Sequence, residues 1–159
     1  MKSKDVAKFN QVTGKGPSDD LDELLEQMRN QSTILLEEVL ETKAAATDKD
    51  WVEALDGVCD IWFVASELVT QLESVGINVK KAFKAVCENN SLKYTTSKEL
   101  VEQWLVYNQT KGVDCHIYEG DYEGVTHYCV RRNEDNKVLK YEDFPVVDLK
   151  PFIPEQLIK

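Results

Sequence analysis

Histidine is nearly missing from this chain of 159 residues: His116 and His127 are the only two. Neither has a serine or cysteine nucleophile pattern around it, which excludes catalysis of the Ser-His-Asp kind. The four cysteines, Cys59, Cys87, Cys115 and Cys129, form no CxxC pair, and no secretory leader pattern precedes them. A disulfide framework is therefore not expected, and a reducing cytoplasm is the expected compartment. The longest apolar run, Trp51 to Val69, is broken by Glu53, Asp56, Asp60 and Glu67 and fails as a membrane span. Gly14-Lys15-Gly16 has neither the Walker spacing nor an apolar strand before it, and reads as a plain turn. There is no internal repeat and no low-complexity segment. Basic residues are also short, 19 against 29 acids, for a formal charge of -10. That field repels phosphate backbones and anionic lipid, so neither nucleic acid nor a membrane surface is an expected partner. An anionic small molecule is admitted only if divalent cations carry it in.

What is present reads as one mainly α-helical domain, an antiparallel helical bundle with a small C-terminal antiparallel sheet. Lys4 to Val12 suits a short helix. Ser18 to Asp20 offer N-caps, with Glu23 placed for a capping box. From Leu21 to about Ala46 apolar residues recur at helical spacing, as one helix or two in succession. After the connector Thr47-Asp48-Lys49-Asp50 the next helix covers Trp51 to Leu72 and ends at Gly76. Another covers Val79 to Glu88, stopped by Asn89-Asn90, and Thr95 to Ser97 cap one that ends near Asn108. Beyond Gly112 the period changes: Cys115 to Tyr118, Val125 to Arg131 and Lys137 to Tyr141 alternate as short strands, with turns at Glu119 to Gly124 and Asn133 to Asn136. The tail, with Pro145, Pro151 and Pro154, is expected to be extended. Residues 1–110 form the helical part, and 111–159 the sheet and tail packed on the same domain.

The acids carry the chemistry. At 100° per residue, Glu38 and Glu41 share a stripe of the first long helix with Ile34 and Ala45. Glu53, Asp56 and Asp60 fall within an arc of roughly 60° on a helix that is apolar almost everywhere else. Such a helix is expected to be buried on most sides, and carboxylates at this spacing repel one another. Between Glu37 and Glu73 the only bases are Lys43 and Lys49, too few to pair the acids. Hard divalent cations with oxygen ligands meet the need better; Mg²⁺ takes a few carboxylates and bridges to phosphates. Each acid has a plainer alternative. Glu53 is placed as the N3 partner of a cap begun by Asp50, Glu37 suits an ordinary solvated position, and Asp60 suits holding a ligand or a lysine from behind. Asp56 and Asp60, in mid-helix, have no capping role.

Other features are weaker. Cys115-His116 and His127-x-Cys129 lie on candidate strands, but adjacent strand residues point to opposite faces, which argues against zinc. Arg131-Arg132 reads as a solvated strand end. Trp51, Trp62, Phe63 and Phe83 follow helical spacing and are expected in the core, with Trp51 also suited to a site mouth.

Written as a pattern, Glu37-Glu38-x-x-Glu41 followed by Glu53-x-x-Asp56 resembles the EExxE and ExxD motif pair of the MazG-like, all-alpha nucleoside triphosphate pyrophosphohydrolases, whose superfamily includes dimeric dUTPases and phosphoribosyl-ATP pyrophosphohydrolases. The resemblance spans about Phe9 to Lys93. Val86 to Lys93 is similar to the later segment where such proteins place an Asn and a Lys at the separation of Asn90 and Lys93. Cys87 stands where many relatives carry a His, so no role of that ring transfers. The stretch Tyr128 to Asp148, with Asn136 to Lys140, is similar to tails of phage-encoded members, for which the compartment would be the host cytoplasm.

The resemblance implies Mg²⁺-dependent hydrolysis of nucleoside triphosphates to the monophosphate and pyrophosphate, with Mn²⁺ as a possible substitute, in nucleotide-pool house-cleaning or adjustment. It implies Glu38, Glu41, Glu53 and Asp56 as metal ligands, and either Glu37 or Asp60 as the group that orients or deprotonates water. Asn90, Lys93 and Tyr94 would contact the nucleotide, in a homodimer or homotetramer. Two alternatives stand beside this reading: a non-catalytic helical interaction protein, and a hydrolase specific for dUTP or phosphoribosyl-ATP.

Overall fold

In the computed structural model, which describes residues 4–158, the chain is mainly helical with one small antiparallel sheet. The first long helix, α2 (Leu21–Asp48), follows a short α1 (Lys4–Thr13). It starts where the Asp20 carboxylate accepts the N–H groups of Asp22 and Glu23. The capping box is not reciprocal, because Glu23 accepts the Ser18 hydroxyl at 2.7 Å instead. Continuous from Leu21 to Asp48, α2 is one helix and outlasts the expected end at Ala46. It stops at Lys49, whose left-handed backbone (φ 60°) turns its N–H back to the carbonyls of Ala45 and Ala46. Asp50 at once caps α3 (Trp51–Ser74) through Val52 N and Glu53 N. A link this short forces α3 to run antiparallel against α2. At the far end of α3, Ile77 N reaches Leu72 O and Gly76 N reaches Glu73 O, around Gly76 at φ 83°, a Schellman stop of the expected kind.

Helices α4 (Val79–Ser91) and α5 (Lys98–Thr110) lead to a hairpin of β1 (Cys115–Tyr122) and β2 (Val125–Arg132). Asn89-Asn90 do not stop α4: Asn89 finds an outlet for its side-chain amide at the Pro145 carbonyl, 2.8 Å away, so the backbone need not turn. The hairpin is longer than expected. Its turn is only Glu123-Gly124, both at positive φ (51° and 78°), which matches strand twist. Lys137 to Tyr141 is not a strand. It makes one bridge, Arg131 to Val138, before Tyr141 turns away. Nor is the tail simply extended, since Lys150–Phe152 and Glu155–Leu157 each close a 3₁₀ turn, and Phe152 O accepts Asn78 N at 2.9 Å.

Two compact units result, Met1–Lys81 with Lys150–Lys159, and Ala82–Leu149, so α5 groups with the hairpin. In the second, Val101, Cys115 and Val130 form the core, covered by Trp104, Leu105 and Leu139. In the first, Val6, Leu24 and Val64 are buried, and Phe9 meets Phe63 edge to face. Much of α3 is not buried. Trp51 is 85 % and Trp62 59 % exposed, with Val52, Leu55 and Val58 on the surface, and Phe83 of α4 is exposed too. These aromatics are therefore not core of the single chain, contrary to their spacing. Among the described residues no helix is long and apolar enough to cross a membrane.

The contact that sets the α2–α3 spacing is at Gly57, which is buried; a Cβ built there would clash with Thr42 Oγ1 and lie 3.2 Å from Thr42 Cβ. Thr42 Oγ1 is held by its bond to Glu38 O at 2.8 Å. Gly57→Ala is expected to cost about 1–3 kcal/mol, read as a fall in the thermal midpoint. Adding Thr42→Ala should recover part of that loss.

Candidate metal centre

Register follows from two contacts, Thr42 against Gly57 and the bond from Gln31 Nε2 to Glu67 Oε2. One turn back from Thr42 is Glu38, and one turn on from Gly57 is the level of Asp60. Glu38 and Asp60 thus stand at about one level of the helix pair, with Glu41 and Asp56 one turn nearer the connector. Glu38 is half-buried, and Glu37, Glu41, Asp56 and Asp60 are exposed. Partial desolvation raises the Glu38 carboxyl above its ordinary pKa, and the charges of Asp60, Glu41, Glu37 and Asp56 raise it further.

Four of the other five acids singled out from the sequence, Glu37, Glu41, Asp56 and Asp60, therefore act on Glu38. Glu53 is not among the groups acting on Glu38. It sits in the first turn of α3, about 10 Å along the axis from Asp60, with its N–H under the Asp50 cap. Among the described residues no three His, Cys, Asp or Glu side chains close on a common point suited to a metal ion. The donors nonetheless suit a hard divalent cation: all are carboxylate oxygens, and a positive charge beside Glu38 would relieve the repulsion that raises its carboxyl.

In the second unit, Lys93 Nζ donates to Asn90 Oδ1 at 2.6 Å, so these two side chains meet. Tyr94 lies apart from that pair, edge-on to His127 with 5.4 Å between ring centroids. The hairpin separates the histidines: His127 is opposite Gly120 and His116 opposite Arg131. His116 Nδ1 pairs with Asn133 Oδ1 at 2.5 Å, and burial raises the Cys115 and Cys129 thiols above their ordinary pKa.

Sequence reasoning gave Glu67 no role beyond interrupting an apolar run. It is 6 % exposed, accepts from Gln31, and has its carboxyl raised by burial, opposed by Lys15 and by a hydrogen bond from Asn10. The oxygens Asn10 Oδ1 and Gln71 Oε1 are also buried, with no partner among the described residues. An acid within the most apolar half of α3 was the available signal.

Compared with protein-family models, curated proteins and solved structures, the chain matches none.

A raised carboxyl in the folded state means that folding takes up protons in the carboxylate range. Stability is therefore lost as pH rises through that range, and the loss persists at neutral pH. Glu38→Gln should raise the thermal midpoint at pH 7 in EDTA, and its advantage should vanish below about pH 4. Melting curves across pH check both halves; an equal gain at every pH would contradict the electrostatic origin.

Proposed function

We propose that this chain hydrolyses nucleoside or deoxynucleoside triphosphates to the monophosphate and pyrophosphate with Mg²⁺, Mn²⁺ substituting. The observation that carries the reading is the placing of Glu38 and Asp60 at about one level of α2 and α3, with Glu41, Glu37 and Asp56 close enough to raise the Glu38 carboxyl. These helices hold the two halves of the motif pair on which the resemblance rests.

Glu38, Glu41 and Asp56 would hold the cation, with Glu53 as the fourth ligand by resemblance. When bound, Mg²⁺ offsets phosphate charge and polarises the bond being broken. Water attacks the α-phosphorus, and the bond from it to the bridging oxygen of the β-phosphate breaks. The proton of the attacking water passes to a carboxylate, and its place level with Glu38 favours Asp60 over Glu37 for that role. By resemblance, Asn90, Lys93 and Tyr94 would contact the nucleotide; Lys93 and Asn90 meet side chain to side chain, and Tyr94 is exposed.

The exposed stripe Trp51, Val52, Leu55, Val58 and Trp62 supports assembly into a homodimer or homotetramer, because so much apolar surface is unfavourable in water. The same stripe favours the competing reading, a non-catalytic scaffold. Metal dependence separates them.

Purified protein incubated with each canonical triphosphate is expected to release pyrophosphate with Mg²⁺ and not with EDTA, and the panel also tests preference for dUTP. Asp56→Asn should lower turnover by at least about 100-fold while the circular dichroism spectrum and native mass are kept. Turnover unaffected by EDTA or by Asp56→Asn would overturn the proposal.

A further inference from the structure

Lys93, Lys111, Lys137 and Lys140 line one cleft of about 650 Å³ within the second unit, and Asp143 is the one carboxylate on its wall. Among the described residues none of these four ammonium groups is in an ion pair. The wall thus carries four positive charges against one negative in a chain whose formal charge is -10, and nearby Asp135 interacts with Lys137 alone of the four.

The backbone under these lysines is fixed. Lys137 O accepts Arg132 N at 3.0 Å, and Leu139 N donates to Val130 O at 2.9 Å. Buried Asn108 donates from Nδ2 to Trp104 O at 2.9 Å and to Lys140 O at 3.1 Å, joining the end of α5 to the lysine-bearing strip. Tyr141 stacks on Trp104 at 4.5 Å, and a turn through Asp143 (φ 56°) brings Phe144 N to Tyr141 O at 3.3 Å. Aromatic faces then locate the ammonium groups. Lys140 Nζ lies 5.2 Å and Lys93 Nζ 6.0 Å from the Phe144 centroid, and Lys111 Nζ 5.5 Å from that of Tyr107. A cation over a ring is positioned without being neutralised, so the charge stays available to a ligand. Lysine suits phosphate as a point charge, and the volume is in the range of a small-molecule site, about 300–1,000 Å³.

We propose that this cleft binds the phosphate chain of a small, multiply charged phosphorylated molecule, pyrophosphate or a nucleotide, without any divalent cation. Lys93 is shared with the residues assigned to the nucleotide above, but the proposal does not rest on hydrolysis.

The test is calorimetric titration of the full chain in EDTA with inorganic pyrophosphate, a deoxynucleoside triphosphate and the matching nucleoside. Pyrophosphate and the triphosphate are expected to bind and the nucleoside not to. The Lys111→Gln/Lys140→Gln double variant should weaken binding by at least about tenfold. No binding in EDTA, equal binding by the nucleoside, or wild-type affinity in the double variant would overturn the proposal. If the double variant loses its circular dichroism spectrum, amide shifts of the wild-type chain with pyrophosphate decide: perturbation at Lys111 and Lys137 to Phe144 supports the site, and perturbation only elsewhere overturns it. Hydrolysis plays no part in these readouts, so a chain that fails the Mg²⁺ assay can still pass here, and the reverse.

Discussion

The close approach of α2 and α3 at Gly57 and Thr42 is the constraint on which the acidic site depends. A glycine inside a helix is less favourable than alanine by about 1 kcal/mol, and here it lets the backbone of α3 come up against Thr42. The same crossing fixes which carboxylates share a level. If the helices stood further apart, Glu38 and Asp60 would each be solvated separately, and the repulsion that raises the Glu38 carboxyl would fade into water. Repulsion between exposed carboxylates is only a few tenths of a kcal/mol per pair. Helix packing over many residues therefore holds the acids together against it.

Features set by local rules could be read directly from the sequence. The caps at Asp20, Asp50 and Ser97, the stop at Gly76 and the helical class follow from side-chain chemistry and 100° per residue. The misplaced features depend on distant contacts. Asn89 stays helical because its amide reaches Pro145, and Lys137 to Tyr141 leaves the sheet because Tyr141 stacks on Trp104. Spacing along one helix places Glu53 beside Asp56, but only the crossing of two helices decides which acid stands level with Glu38, and that is Asp60. An apolar pattern likewise shows that a residue has reason to be covered without showing that the single chain covers it, as Trp51 and Trp62 illustrate.

The lysine cleft was invisible for a different reason. Lys93 follows α4, Lys111 caps α5, and Lys137 and Lys140 lie beyond the hairpin. No window of sequence contains more than two of them, so no local pattern exists to find. Contacts distant in sequence bring these stretches to one place: Asn108, buried at the end of α5 and bonded to Lys140 O, Tyr141 stacked on Trp104, and Asn89 bonded to Pro145 O.

Charge reasoning at the level of composition needs the same correction. At physiological salt, exposed charges more than about 8 Å apart are largely screened, so a phosphate near this surface responds to its neighbours more than to the whole chain's -10. The acidic face and the lysine cleft therefore present different problems to an anion. Beside Glu38 and Asp60 a polyphosphate needs a divalent cation to reverse the local sign. In the cleft four ammonium groups stand against one carboxylate on the wall. Requiring a cation for every phosphorylated ligand thus follows from the acidic face alone, and it does not extend to the second unit.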